Sequence, residues 1–113
     1  MELKKIEITD FEKKLQTATK PILGIFFATW CPYCQENVPE VQAYLESSKL
    51  KGDAYLIQVE NEMDVWAQDG EKKWALEVVP TYRIYDKNKL VWDQSGPVKP
   101  EKLVKALQNR FTK

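Results

Sequence analysis

The stretch Ile22-Leu-Gly-Ile-Phe-Phe-Ala28, continued by Thr29-Trp30-Cys31-Pro32-Tyr33-Cys34, carries the most structural information in this sequence. Its first part is an unbroken apolar run with β-branched and aromatic members. Such a run suits a central strand covered on both faces. It is too short to span a bilayer. The second part opens a helix. Pro32 suits a first helical position, because its missing N–H would be unpaired there anyway. Cys31 then falls at the N-cap, and Cys34 lies one turn along on the same face, within disulfide reach.

This placement predicts chemistry. Free N–H groups and the dipole at a helix N-terminus stabilise an anion, and the thiolate is the reactive form of cysteine. Lowering a thiol pKa from about 8.5 to about 7 raises its thiolate fraction at neutral pH by roughly 16-fold. Lower basicity costs about 5-fold in nucleophilicity, so the net gain as attacker is only about 3-fold. The larger benefits are a better leaving group and a second thiol held nearby. Cys31 is therefore the candidate nucleophile and Cys34 the candidate resolving thiol, cycling between a dithiol and a Cys31–Cys34 disulfide. The competing reading is an inert local disulfide or two buried thiols.

Outward from this centre, Leu3 to Ile8 alternates apolar and polar residues as a strand does. Thr9 and Glu12 form a capping-box pattern, followed by Phe11, Leu15 and Ala18 at helical spacing up to a helix end near Lys20. Val38, Val41 and Leu45 continue the helix after Cys34 to about Ser48, with a kink expected at Pro39. Ala54–Val59 reads as a strand. Val65–Leu76 reads as a helix weakened by Gly70, with Trp66 and Trp74 on nearly the same face as core residues. Thr81–Tyr85 and Leu90–Asp93 flank Asp86-Lys87-Asn88-Lys89 as a hairpin, and Trp92 is expected to pack. Pro100 starts a last helix, with Leu103, Val104, Leu107 and Phe111 on one face. Parallel crossovers followed by an antiparallel hairpin predict an α/β sandwich with a mixed sheet.

Composition narrows the function. The 113 residues fit a single domain, 1–113, and four Trp, five Tyr and four Phe exceed what a disordered chain carries. Lys+Arg and Asp+Glu balance at 17 each, so nothing points to nucleic acid or an anionic membrane as partner. The stretch from Lys99 to Lys113 is mildly basic, as a helix end can be. The absence of His removes Ser-His-Asp and Cys-His catalysis. Structural zinc normally takes four Cys/His ligands and this chain has two Cys, so only a metal shared between two chains would fit. No metal or cofactor is expected. The N-terminus lacks a signal-peptide core. A cytoplasmic monomer is expected, or an extracytoplasmic one if a leader has been removed.

Taken together, IFFATWCPYC, Pro39 in the following helix, VVPTYRIYD with Pro80, and Gly96 after the last strand resemble the thioredoxin family in order and spacing, across essentially the whole chain. The resemblance implies a thioredoxin-like three-layer α/β/α sandwich. It implies protein disulfide reduction, with disulfide-containing proteins as substrates and a thiol or a reductase as electron donor. It also implies that Pro80 follows a cis bond and faces the cysteines, that Val79 pairs with an extended substrate segment, and that Trp30 flanks an exposed nucleophilic sulfur. Tyr33, between the cysteines, is expected to be exposed and in contact with substrate.

Several positions depart from the family. Pro32-Tyr33 replaces Gly-Pro, and the resulting CPYC is more familiar from glutaredoxins. The buried acid of the family aligns with Ile25 and its lysine partner with Leu56. Deprotonation of Cys34 then relies on water or another group, with Glu36 the nearest carboxylate in sequence. Val78 stands where some members have Gly, which narrows the expected groove. Two alternatives stay open on these residues: a thiol oxidant or isomerase acting on secreted proteins, and a non-catalytic accessory or redox-sensing module with one protein partner.

Overall fold

A computed structural model of the chain describes residues 1–60, 66 and 74–111. Its elements are β1 (Leu3–Ile6), α1 (Ile8–Thr17), β2 (Ile22–Phe27), α2 (Pro32–Glu46), β3 (Asp53–Gln58), β4 (Thr81–Asp86), β5 (Lys89–Ser95) and α3 (Pro100–Gln108). The strands form one five-stranded sheet in the order β1-β3-β2-β4-β5. β1 and β2 run parallel to β3, while β4 is antiparallel to both β2 and β5. The sheet is therefore mixed, as the sequence predicts.

The apolar run makes β2 the central strand, with its first five residues buried. Its two faces serve different helices. Ile22, Gly24 and Phe26 face α1, where the Phe11 ring meets Phe26 edge-on with centroids 5.8 Å apart. A Cβ on Gly24 would lie 2.7 Å from Phe11 Cζ, so this close approach requires glycine. Ile25, in register with Tyr82 on β4 and Leu56 on β3, faces α2 instead. Layers on both sides of the sheet give the α/β/α sandwich.

Some boundaries differ from the sequence reading. α1 starts at Ile8, and its N-cap is Glu7 without a side-chain cap bond. Thr9 thus lies inside the helix, and the Thr9–Glu12 capping box does not form. Ile8 is buried, so including it in the helix serves the core. The same helix ends at Thr17, and Ala18 is already extended, short of the expected Lys20. Pro39 lies inside α2 without ending it. The hairpin turns at Lys87 and Asn88 with φ of 53° and 65°, the conformation of a two-residue type I′ loop. The predicted helix over 65–76 falls mostly outside the described residues. Its final residues are not helical: Ala75 has φ 46° and Leu76 makes an isolated parallel bridge with Trp66. Trp74 is buried in the core, and Trp66 and Trp92 pack against it from partly buried positions. Phe111 is buried beyond the end of α3 rather than on its helical face.

Candidate active site

The end of β2 delivers the chain into the first turn of α2, and both cysteines sit at that junction. Cys31 is the N-cap of α2, and Pro32 occupies its first turn. The Cys34 N–H donates to Cys31 Sγ at 3.3 Å, closing the cap. Cys31 Sγ in turn donates to the Val79 carbonyl at 3.4 Å. The two thiols are free.

Val79 lies at the mouth of β4, and the Val79–Pro80 peptide bond is cis. Two further bonds hold that segment. The Thr81 hydroxyl donates to the Val78 carbonyl at 2.7 Å, and the Gly96 N–H donates to the Pro80 carbonyl at 2.8 Å. Gly96 has φ 89°, a conformation that favours glycine.

The sulfurs lie deeper than the sequence implies. Cys31 is only 4% exposed and Cys34 3%. The expectation of an exposed nucleophilic sulfur is therefore corrected: Cys31 Sγ turns inward to the Val79 carbonyl. What is exposed is its rim, with Trp30 at 62%, Tyr33 at 64% and Val78 at 44%. The structure thus brings Cys31, Cys34 and Val79 together and leaves Trp30 and Tyr33 as surface flanks.

Burial, the largest cause, pushes the Cys34 thiol up to about 12. A backbone hydrogen bond from Ala28 works the other way, and the charges of Cys31 and Glu60 add to the rise. Among the described residues, the two positions where the resemblance places a buried acid and a lysine are apolar. Ile25 and Leu56 are cross-strand partners, so the positions of the family's acid and lysine are adjacent and both apolar. Their joint absence is physically coherent, since one buried charge without the other would be strongly destabilising. Glu36, the carboxylate nearest in sequence, is exposed on the first turns of α2.

Two groups escaped the sequence reading. Glu60, just past β3, accepts from the Thr29 N–H at 2.8 Å and from the Thr29 hydroxyl at 2.8 and 2.7 Å. Gln58 Nε2 adds a bond at 2.6 Å. The Thr29 hydrogen bonds, with that from Gln58, hold the Glu60 carboxyl below the usual carboxylate range. Gln35 Nε2 donates to the Thr29 carbonyl at 2.7 Å. The residue ahead of Trp30 is thus held on both sides. The second group is a buried polar junction: Asn37 Oδ1 accepts from the Tyr82 hydroxyl at 2.6 Å and the Val98 N–H at 2.9 Å, while Asn37 Nδ2 donates to the Val98 carbonyl at 2.8 Å. It fixes α2 one turn beyond Cys34. Neither contact has a local sequence signal, because each joins residues more than thirty positions apart. Among the described residues, no group of three or more His, Cys, Asp and Glu side chains could hold a metal ion.

This arrangement can be set beside known proteins. The family model described as Thioredoxin matches residues 2–109. A thioredoxin-like protein of Synechocystis sp. is 32% identical over 108 residues, covering 94% of each chain. Thioredoxin Y2, chloroplastic, of Arabidopsis thaliana is 31% identical over 107 residues, which are 94% of this chain and 60% of that protein. The fold also matches the crystal structure of a reduced Schistosoma mansoni thioredoxin, with TM-score 0.75, 21% identity, and coverage of 97% of this chain and 99% of that one.

Proposed function

The chain belongs to the thioredoxin family, and from that membership we propose that it reduces protein disulfides through a Cys31/Cys34 dithiol cycle. The observation that carries the reading is the Cys31 cap of α2, one turn from Cys34 and beside the Val79 carbonyl. Cys31 is the attacking sulfur. Burial raises the Cys34 thiol, which disfavours Cys34 as the attacking sulfur.

The cycle balances as a two-electron exchange. The Cys31 thiolate bonds to one sulfur of a substrate disulfide, and the other substrate sulfur leaves as a thiolate and takes up a proton. Cys34 then loses its proton to water, attacks Cys31 and forms the internal disulfide. The second substrate sulfur leaves and is protonated. The substrate has gained the two electrons that the chain lost, and a thiol donor or a reductase restores the dithiol. The Val79 backbone supports an extended substrate segment, and Trp30, Tyr33 and Pro80 border it. A reductase of this kind fits the reducing cytoplasm, and that location is part of the proposal.

The assay is reduction of insulin with dithiothreitol as donor. Cys31→Ser is expected to lower the rate to the level of dithiothreitol alone, and full activity in that variant would overturn the assignment. The apolar Ile25–Leu56 pair favours a second reading, an accessory module with slow turnover and one partner. Capture of a single protein by Cys34→Ser would support the accessory reading, and capture of many would support the reductase.

A further inference from the structure

We propose that the surface around Cys31 selects disulfides carried on positively charged, extended polypeptide segments. The inference rests on the thiol exchange proposed above and names its substrate class.

A buried sulfur is reached only across its rim. That rim presents Trp30, Tyr33 and Val78, three exposed apolar side chains next to Cys31 and Val79. Apolar contact of this kind supplies affinity without choosing between charges. The choice comes from what surrounds it. Four segments build the site: residues 28–40, 58–60, 74–81 and 94–98. Their described acidic and basic residues are Glu36, Glu40, Glu60 and Glu77, with no Lys or Arg. Glu36 and Glu40 follow Tyr33 at helical spacing on α2 and are exposed. Glu77 is exposed beside Val78.

Among the described residues, the cations lie outside these four segments. Arg83 is buried on the α1 face, with its guanidinium 5.6 Å from the Phe26 ring centroid and Nη1 bonded to the Trp74 carbonyl. Lys5, on the edge strand β1, acts on Glu60. Lys99, Lys102 and Lys105 line a separate surface hollow with Glu101 and Tyr44, between α2 and α3. Among the described residues, the four segments around the cysteines therefore carry acidic side chains and no basic ones. Exposed charges contribute little pair by pair, but several of one sign raise encounter rates with a complementary partner and repel a like-charged one. A Lys- or Arg-flanked disulfide meets apolar anchors with carboxylates around them, and a Glu-flanked one meets repulsion.

The test uses the full chain and two synthetic peptides with the same disulfide-closed ring, one flanked by Arg and Lys and the other by Glu and Asp. At low salt, kcat/KM is expected to be about tenfold higher for the cationic peptide, and the ratio to shrink toward one in 0.5 M salt. Combining Glu36→Gln, Glu40→Gln and Glu77→Gln is expected to erase the ratio at low salt. Equal rates, a preference for the anionic peptide, or a cationic preference that survives the triple substitution would overturn the proposal. Insulin reduction separates the two levels. Reduction of insulin without charge preference sinks the substrate class alone, whereas failure on insulin and both peptides sinks thiol exchange with it.

Discussion

Cys31 and Cys34 are almost equally buried, yet their surroundings differ. Cys34 stands at about 12, chiefly because burial disfavours its charged form. At pH 8 it therefore stays largely protonated. Iodoacetamide at that pH is expected to modify Cys31 alone, as read by peptide mass mapping, with Cys34 reacting only after unfolding. Rapid labelling of Cys34 in the folded chain would contradict the assignment. The same shift has a stability consequence of definite sign. Cys34 ionises in the unfolded chain first, so the fold loses stability as pH rises from the ordinary thiol range toward 12. Below that window the group has no effect. Glu60 illustrates what a residue-by-residue reading misses. A glutamate at a strand end looks like any solvated charge, and only the fold brings it to Thr29.

At the scale of elements, β2 and the opening of α2 were legible because their signals are local. An apolar run, a proline at a helix start and two cysteines one turn apart depend on no distant partner. The hairpin was legible for the same reason, with Lys87-Asn88 in left-handed backbone between two strands. The start of α1 was not legible, because burial of Ile8 outweighed the capping pattern at Thr9. The depth of Cys31 was hidden too, since it depends on the Val79 carbonyl, far away in sequence. The Ile25–Leu56 pairing across β2 and β3 can be tested as a unit. Ile25→Asp alone buries a carboxylate without a partner and is expected to cost about 3–5 kcal/mol by denaturant unfolding. Adding Leu56→Lys is expected to recover about 0.5–3 kcal/mol of that loss as coupling energy. Strict additivity of the two substitutions would show that the positions do not communicate.

For the whole molecule, the sheet order places the active junction where β2, β4 and α2 meet, with the cis Val79–Pro80 segment across from Cys31. Neighbouring supports arrive from remote parts of the chain: Glu60 after β3, Val98 ahead of α3, and Gly96 at the end of β5. The proposed chemistry therefore reads from sequence, and the positioning of its residues from structure. In the proposed cycle Cys31 attacks and Cys34 resolves. The most direct measurement is mass spectrometry of reduced Cys34→Ser mixed with a disulfide peptide, with Cys31→Ser run in parallel. Cys34→Ser is expected to accumulate one peptide adduct, mapped to Cys31, while Cys31→Ser accumulates none. No adduct on Cys31, or an adduct that forms on Cys34 when Cys31 is replaced, would overturn these roles.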